Sequence, residues 1–347
     1  MSTEGSGAAP AAGLHFPSVP SFQPARWLRN RHLQTIVAAQ RPRRFGYGWT
    51  SWEPETIELG RDGCIVGEAS WQPGPRAASP ALFLLHGLEG SAQSHYLVGM
   101  SKKAYAAGFH TIRINTRNCG GTEHLTPTLY CAGLSQDVGA IVRHLRERCG
   151  VEELYAAGVS IGANILLKYL GEEGAGAGIR AAAVLSPPID LARGVREIEK
   201  PANWIYQRHF VTSLISRMRR KSALFPGICD LARVERVRTI YEFDDLVTAP
   251  HFGFGTADNY YRLASAAPLI PRIAVPTLIV AAEDDPIVPF GTFLECGLEH
   301  NPAVRLVAPR HGGHSGFLGA RPAAGDLDSY WGESRVVDFV CGFAKEK

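Results

Sequence analysis

Two hydrophobic patterns alternate along most of the chain. Short unbroken apolar runs read as buried strands, and stretches with an apolar residue every third or fourth position read as amphipathic helices. Pro80 to Leu85 and Leu154 to Val159 are runs of the first kind, and Phe109 to Asn115 and Ile179 to Leu185 read as further strands. Between them, Leu97, Met100 and Ala104 share one helical face, and Val138, Ile141, Val142 and Leu145 share another over about Ser135 to Cys149. Ile161 to Leu170 reads as a further helix. Thr56 to Leu59 and Cys64 to Trp71 predict a hairpin that turns at Gly60 to Gly63. Alternation of this kind predicts right-handed βαβ crossovers and an α/β fold with a mostly parallel, doubly wound sheet.

The alternation stops at Pro188 and resumes at Ala274. Between Pro188 and Pro271 the pattern is helical, with one stripe formed by Val211, Leu214, Ile215 and Met218. Arg217, Arg219, Arg220 and Lys221 surround the end of that stripe. Ligands of open α/β sheets bind at the carboxyl ends of the strands, so an insertion here is expected to cover that edge as a lid. Ala274 to Ala282 and Val304 to Ala308 read as the last strands, and about Asp328 to Ala344 as a final helix burying Val336, Phe339, Val340 and Phe343. At the other end, residues 1–20 are rich in Gly, Ala, Ser and Pro and are expected to form a mobile tail. A short helix within Phe22 to Ile36 is expected to bury Leu33, Ile36 and Val37. The organisation expected is thus a tail over 1–20, a core over 21–187 and 272–347, and a helical insertion over 188–271.

Composition narrows the classes. Of 347 residues 45% are hydrophobic, enough for a large core, and a net charge of +3 makes no case for a nucleic-acid partner. The apolar runs are of strand length, too short to span a membrane. Met1 to Gly13 has neither a basic n-region nor an apolar h-region, which argues against a signal peptide. Seven dispersed cysteines without a C-x-x-C pair fit reduced thiols and a cytoplasmic location. Metal-ligand spacing is missing: His311 and His314 have no second ligand pair. Arg26, Arg29, Arg31, Arg41, Arg43 and Arg44 crowd the N-terminal arm. They fit a solvated face with a few ion pairs, or a contact with anionic lipid headgroups or an acidic partner.

The candidate chemistry centres on Gly158-Val159-Ser160-Ile161-Gly162, a G-x-S-x-G between a predicted strand and a predicted helix. A strand that turns sharply into a helix strains its tip residue and brings backbones close, which calls for glycine on both sides. A serine hydroxyl needs a base, and the base needs an orienting acid. Groups that meet above a parallel sheet must stand on loops after its strands. Asp285 follows one later strand and His314 the last. Asp285 is preferred over Asp284 because Pro286 fixes the chain just after it, and His314 over His311 because small residues flank it. Asp244 and Asp245 are weaker acid candidates, expected to pair with arginines. Two N–H donors for a developing oxyanion are expected from Ile161, directly after the serine, and Leu88, in the Gly-rich loop after Pro80 to Leu85.

The order Ser…Asp…His is the one α/β-hydrolases use. With Arg29-Asn-Arg-His-Leu-Gln-Thr35, His86-Gly-Leu-Glu-Gly-Ser91, Ser94-His-Tyr96, the stretch Phe243 to Phe254, Tyr260-Tyr261 and His311-Gly-Gly-His-Ser-Gly-Phe317, the chain resembles the YheT-like branch of the α/β-hydrolase superfamily. That branch also holds α/β-hydrolase-domain lipid esterases. The resemblance implies an α/β-hydrolase fold and a hydrolase of carboxylic esters, of short to medium acyl length or from lipids. Ser160 would be its nucleophile, Asp285 its acid and His314 its base, with no metal or organic cofactor. An acyltransferase or thioesterase would use the same acyl-enzyme, and a non-catalytic scaffold could keep the same fold. One departure is Asn118, where many relatives have glycine after the arginine.

Overall fold

The computed structural model describes residues 16–344. Eight strands form one sheet in the order β1-β2-β4-β3-β5-β6-β7-β8. They are β1 (Glu53–Glu58), β2 (Cys64–Ser70), β3 (Ala81–Leu85), β4 (His110–Asn115), β5 (Leu154–Val159), β6 (Ala181–Leu185), β7 (Thr277–Val280) and β8 (Val304–Val307). β2 runs antiparallel to β1 and β4, and every pairing from β4 to β8 is parallel. β3 to β6 are buried at nearly every position because helices cover both faces, which is why β3, β5 and β6 are unbroken apolar runs, whereas β4 buries His110, Thr111 and Arg113 as well. β1 starts earlier than the hydrophobic pattern indicates: Glu53, Pro54 and Glu55 pair with β2 on the open edge, where polar side chains and a proline are tolerated.

On one face, α2 (His95–Ala106) and the C-terminal helix Trp331–Ala344 pack Leu97, Met100, Ala104, Val336, Phe339 and Val340 against the sheet. On the other, α3 (Ser135–Arg143) and α4 (Ile161–Glu173) bury Val138, Ile141, Leu166 and Leu170. α3 continues into a π-turn, His144–Arg148. Between β6 and β7 the chain forms helices joined by turns, with α5 (Leu191–Ile198), α6 (Trp204–Leu224) and the helix Ala257–Ala264 as its longer pieces.

The N-terminal expectations need correcting. Residues 1–15 of the expected tail lie outside the described residues, but Phe16 to Pro20 is seated. Phe16 stacks on Phe339 at 5.9 Å between ring centroids, Arg305 donates to the Pro17 carbonyl, and Trp331 donates to that of Pro20. The arm's helix, α1 (Arg31–Gln40), is capped by Asn30, whose side chain accepts from the His32 and Leu33 amides. It buries Gln34 and Ala38 and leaves Leu33 45% exposed. Among the described residues no helix is long and apolar enough to cross a membrane.

Candidate active site

Ser160 sits between β5 and α4 with φ 53°, in the left-handed region. Glycines on each side make the turn feasible. A Cβ on Gly162 would lie 2.4 Å from the His86 carbonyl oxygen, and one on Gly158 would lie 2.8 Å from Ala163 Cα. The Ser160 amide donates to Leu185 of β6 at 2.9 Å, and its carbonyl accepts from the Ala163 and Asn164 amides. The strained residue is thus held at both backbone ends. Glu89, Asn118, Ser186, Ser315 and Phe317 also adopt positive φ, all on loops after strands. Strain collected at one end of a sheet is the pattern of a functional edge.

The loops after β7 and β8 bring a carboxylate and an imidazole to the serine. His314 Nε2 lies 3.0 Å from Ser160 Oγ, and its Nδ1 lies 2.9 Å from Asp285 Oδ2. The side chains of Asp285 and His314 are 2% and 10% exposed. Asp285 Oδ1 also accepts from the Ile287 and Val288 amides at 2.8 and 3.0 Å, so the turn that Pro286 starts fixes the carboxylate. The alternatives Asp284 and His311 form a second pair, at 3.2 Å, that does not include Ser160. Asp284 also accepts from the Gly313 amide and braces the loop that carries His314.

Two supports escaped the sequence reading. The His314 amide donates to Thr35 Oγ1 at 2.9 Å, so α1 holds the imidazole loop from outside the sheet. The Gly87 amide donates to the Tyr96 hydroxyl at 2.9 Å, pinning the loop that precedes Leu88. Both residues stand in motifs that the family resemblance singles out, but neither carries a charge or a recognised spacing to mark its role. His86, fully buried, bridges the same loop to β4. Its Nε2 accepts from the Thr116 amide at 3.2 Å and its Nδ1–H donates to the Gly87 carbonyl at 2.7 Å. Burial holds its pKa down at about 4, so it is a neutral brace.

Ser160 opens on two sides. On one, a narrow cavity is lined by Leu88, Ile161, Leu191, Phe210, Leu214 and Ile287, with Asp244, Tyr261, Tyr130 and Arg217 among its polar walls. Of the predicted stripe on α6, Leu214 reaches this cavity, whereas Val211, Ile215 and Met218 do not line it. The other opening lies between α1 and α6. Ile36, Tyr206 and His209 line it, with Ser160, His314 and Leu88 at its floor. Leu88 and Ile161 border the serine with amides that, among the described residues, enter no turn, cap or side-chain hydrogen bond.

Asp244 and Asp245 do not pair with arginines. Asp244 accepts from Thr248 at 2.6 Å and Tyr261 at 2.8 Å, and burial raises its carboxyl to about 6. Asp245 accepts from the Ala257 amide. Arg217 pairs instead with Glu89 at 3.0 Å, tying α6 to the Leu88 loop. Asn118 settles the Arg117 loop. Its φ of 62° is one that asparagine tolerates better than most residues, and its amide donates to Thr128, so it takes the place of glycine there. Arg117 meanwhile forms a two-point ion pair with Asp137. Away from the site, Glu55, His144 and Cys149 gather their ligand-type atoms within 4.8 Å, although the sequence spacing gave no sign of it. His144 is engaged by Glu55 at 2.8 Å, and burial keeps the Cys149 thiol protonated, pushed up to about 12.

Comparison with known proteins places this geometry. Residues 80–320 match the family model of the alpha/beta hydrolase fold. YheT of Escherichia coli (strain K12), provisionally named an esterase, is 34% identical over 343 residues, 96% of each chain. Phospholipase ABHD3 of Homo sapiens is 31% identical over 240 residues, which cover 69% of this chain and 59% of that protein. Among solved structures, the Pyrococcus furiosus esterase Pf2001 superposes with a TM-score of 0.55 at 15% identity, over 88% of this chain and 98% of that one. The chain therefore belongs to the α/β-hydrolase fold family, in the branch that contains YheT.

Proposed function

We propose that this enzyme cleaves carboxylic esters of short to medium acyl chains or of lipids through Ser160, His314 and Asp285. The observation that carries the reading is the unbroken chain of contacts from Ser160 Oγ through His314 to Asp285, at 3.0 and 2.9 Å. With Nδ1–H donated to Asp285, His314 Nε2 is free to accept the serine proton. Ser160 Oγ attacks the ester carbonyl while that proton moves to Nε2. The carbonyl oxygen becomes an oxyanion, received by the Leu88 and Ile161 amides. The C–O bond to the alcohol then breaks, His314 returns its proton to the leaving oxygen, and an acyl-enzyme remains. Water, deprotonated by His314, attacks the acyl carbon and releases the acid and Ser160.

Geometry also orients the substrate. His314 must reach the leaving oxygen, and it lines the opening between α1 and α6 but not the inner cavity. The alcohol therefore lies toward α1, and the acyl chain enters the cavity beside Leu88, Ile161 and Leu214. The relatives named phospholipase and monoacylglycerol lipase support an acyl-lipid substrate. Labelling with a fluorophosphonate probe tests the reading. Adduct formation on the Ser160 peptide, lost in Ser160→Ala, is the expected result. Equal labelling of folded Ser160→Ala protein, or turnover of a p-nitrophenyl ester by it at the wild-type rate, overturns it.

A further inference from the structure

The opening on the leaving-group side is framed by two helical segments that have no acidic residue. Phe22 to Tyr47 and Pro201 to Leu224 contain neither Asp nor Glu. They meet where His32 Nδ1 faces the Tyr206 hydroxyl at 3.1 Å, with the two rings stacked. Around this junction stand unusually exposed apolar side chains: Trp27 at 61%, Leu33 at 45%, Trp204 at 61% and Ile205 at 46%. Ile205 borders the opening itself, and Leu33 precedes the bordering residue Ile36 by one helical turn. Single exposed leucines are ordinary on a protein surface. Two tryptophans, a leucine and an isoleucine on two segments that meet at His32 and Tyr206 are not.

Charge says what covers them. Arg43 is consumed internally by Glu333 and Asp328. Arg26, Arg29, Arg31, Arg41, Arg44 and Arg208 have no carboxylate at ion-pair distance among the described residues. Each basic group near an anionic bilayer adds to the attraction, and tryptophan favours the headgroup level. An acidic protein groove would match the arginines but gives no reason for tryptophans spread over two elements. We propose that the arm Phe22–Tyr47 and the first turns of α6 form a docking face for an anionic lipid surface, with the opening above His314 facing the bilayer. The contact stands on exposure and charge. Its use as an entry route for substrate rests on the ester-hydrolase reading above.

The test is flotation of the full chain with vesicles of phosphatidylcholine alone and of phosphatidylcholine mixed with phosphatidylglycerol. Binding to the mixed vesicles, weakened by added salt, is expected. Trp27→Ser with Trp204→Ser should lower partitioning about tenfold, and Arg26→Glu with Arg29→Glu, which reverses two charges, about a hundredfold or more. Both should turn over a soluble p-nitrophenyl ester as wild type does, which also reports that they fold. Ser160→Ala should float normally, so loss of catalysis and loss of docking remain distinguishable. Failure of the wild type to float, flotation indifferent to both double variants, or flotation abolished by Ser160→Ala overturns the proposal. So does retention on immobilised polyglutamate without binding to either vesicle, which would assign the arginines to an acidic protein.

Discussion

The strand ends that carry Ser160, Asp285 and His314 are fixed by backbone, whereas the helical segment between β6 and β7 is fixed by side chains. At the strand ends, parallel pairing sets the spacing of the loops, glycines permit the close approaches, the Ile287 and Val288 amides hold Asp285, and the His314 amide is anchored on the Thr35 hydroxyl. In the helical segment the holding contacts are apolar packing and a few buried polar pairs, among them Tyr261 with Asp244 and Arg217 with Glu89. Backbone constraint tolerates almost no change in geometry, and side-chain packing tolerates a good deal. The difference suggests a division of labour: the sheet edge sets whether the reaction runs, and the helical cover sets which acyl group it runs on.

The strongest way to break that division is at the serine. Ser160→Ala should lower kcat for a p-nitrophenyl ester about 10⁴-fold or more and shift stability by about 1 kcal/mol or less. Activity within tenfold of wild type would move the chemistry elsewhere. Next come the paired carboxylates. Asp285→Asn should cost about 10³- to 10⁴-fold in kcat, because an amide favours the wrong imidazole tautomer. Asp284→Asn, which loosens only the brace on Gly313, should cost about tenfold or less. Reversal of that order in measured kcat would mean that His311 and Asp284 are the working pair. Third is Tyr96→Phe. It leaves the Gly87 amide without its acceptor, a loss of about 1–3 kcal/mol, and should lower kcat more than it raises KM. An unchanged kcat would show that the Leu88 loop holds its shape without the hydroxyl.

How far this division could be read from the chain follows from the same physics. Strands buried on both faces leave continuous apolar runs, and a strained turn leaves glycines, so β3, β5, β6 and the Ser160 elbow stand out in the sequence. Asp285 and His314 were legible because the alternation of elements says where a sheet's carboxyl edge must be. The cover was legible only as helix. Which face of α6 looks inward depends on partners far along the chain, and of its stripe only Leu214 meets the cavity. Arg217 reads as one of a basic group around the end of that stripe and finds Glu89, well over a hundred residues earlier. Thr35 and Tyr96 act through a hydroxyl apiece on a backbone amide, an interaction with no periodicity and no charge. Leu33 was expected inside because it is apolar, and hydrophobicity alone cannot tell a core face from a docking face.

The cover can be probed by contrasting two positions on one helix. Leu214 borders the cavity and Val211, nearly one turn earlier, is buried without bordering it. Leu214→Ala should destabilise by about 2 kcal/mol and move the optimum of kcat/KM toward acyl chains longer by roughly one to three carbons. Val211→Ala should cost about 1 kcal/mol and leave the chain-length profile in place. Parallel thermal unfolding and a p-nitrophenyl ester series separate the two effects. The same profile in both variants would mean that α6 only stiffens the cover.

The smallest expected effect is at Asp244, and it tests whether the cavity responds to pH apart from the triad. Burial raises this carboxyl from 3.8 to about 6, against hydrogen bonds from Thr248 and Tyr261 and the nearby Arg217, which pull the other way. A carboxyl whose folded pKa lies above its unfolded value holds its proton more tightly when folded. Its contribution to stability is therefore complete below the unfolded value and is lost as pH rises through about 6. The charge that appears over the same window stands in the wall of the proposed acyl cavity, where it opposes an apolar chain. Any pH dependence of the shared chemical step acts equally on long and short acyl groups, so a ratio cancels it. The ratio of kcat/KM for an octanoyl ester to that for an acetyl ester should fall about two- to fivefold as pH rises from about 5 to about 8. In Asp244→Asn, which keeps the shape and cannot ionise, the ratio should stay flat while the pH profile of each ester alone remains. A ratio that falls equally in the variant would place the titrating group elsewhere and leave Asp244 as a packing residue of the cover.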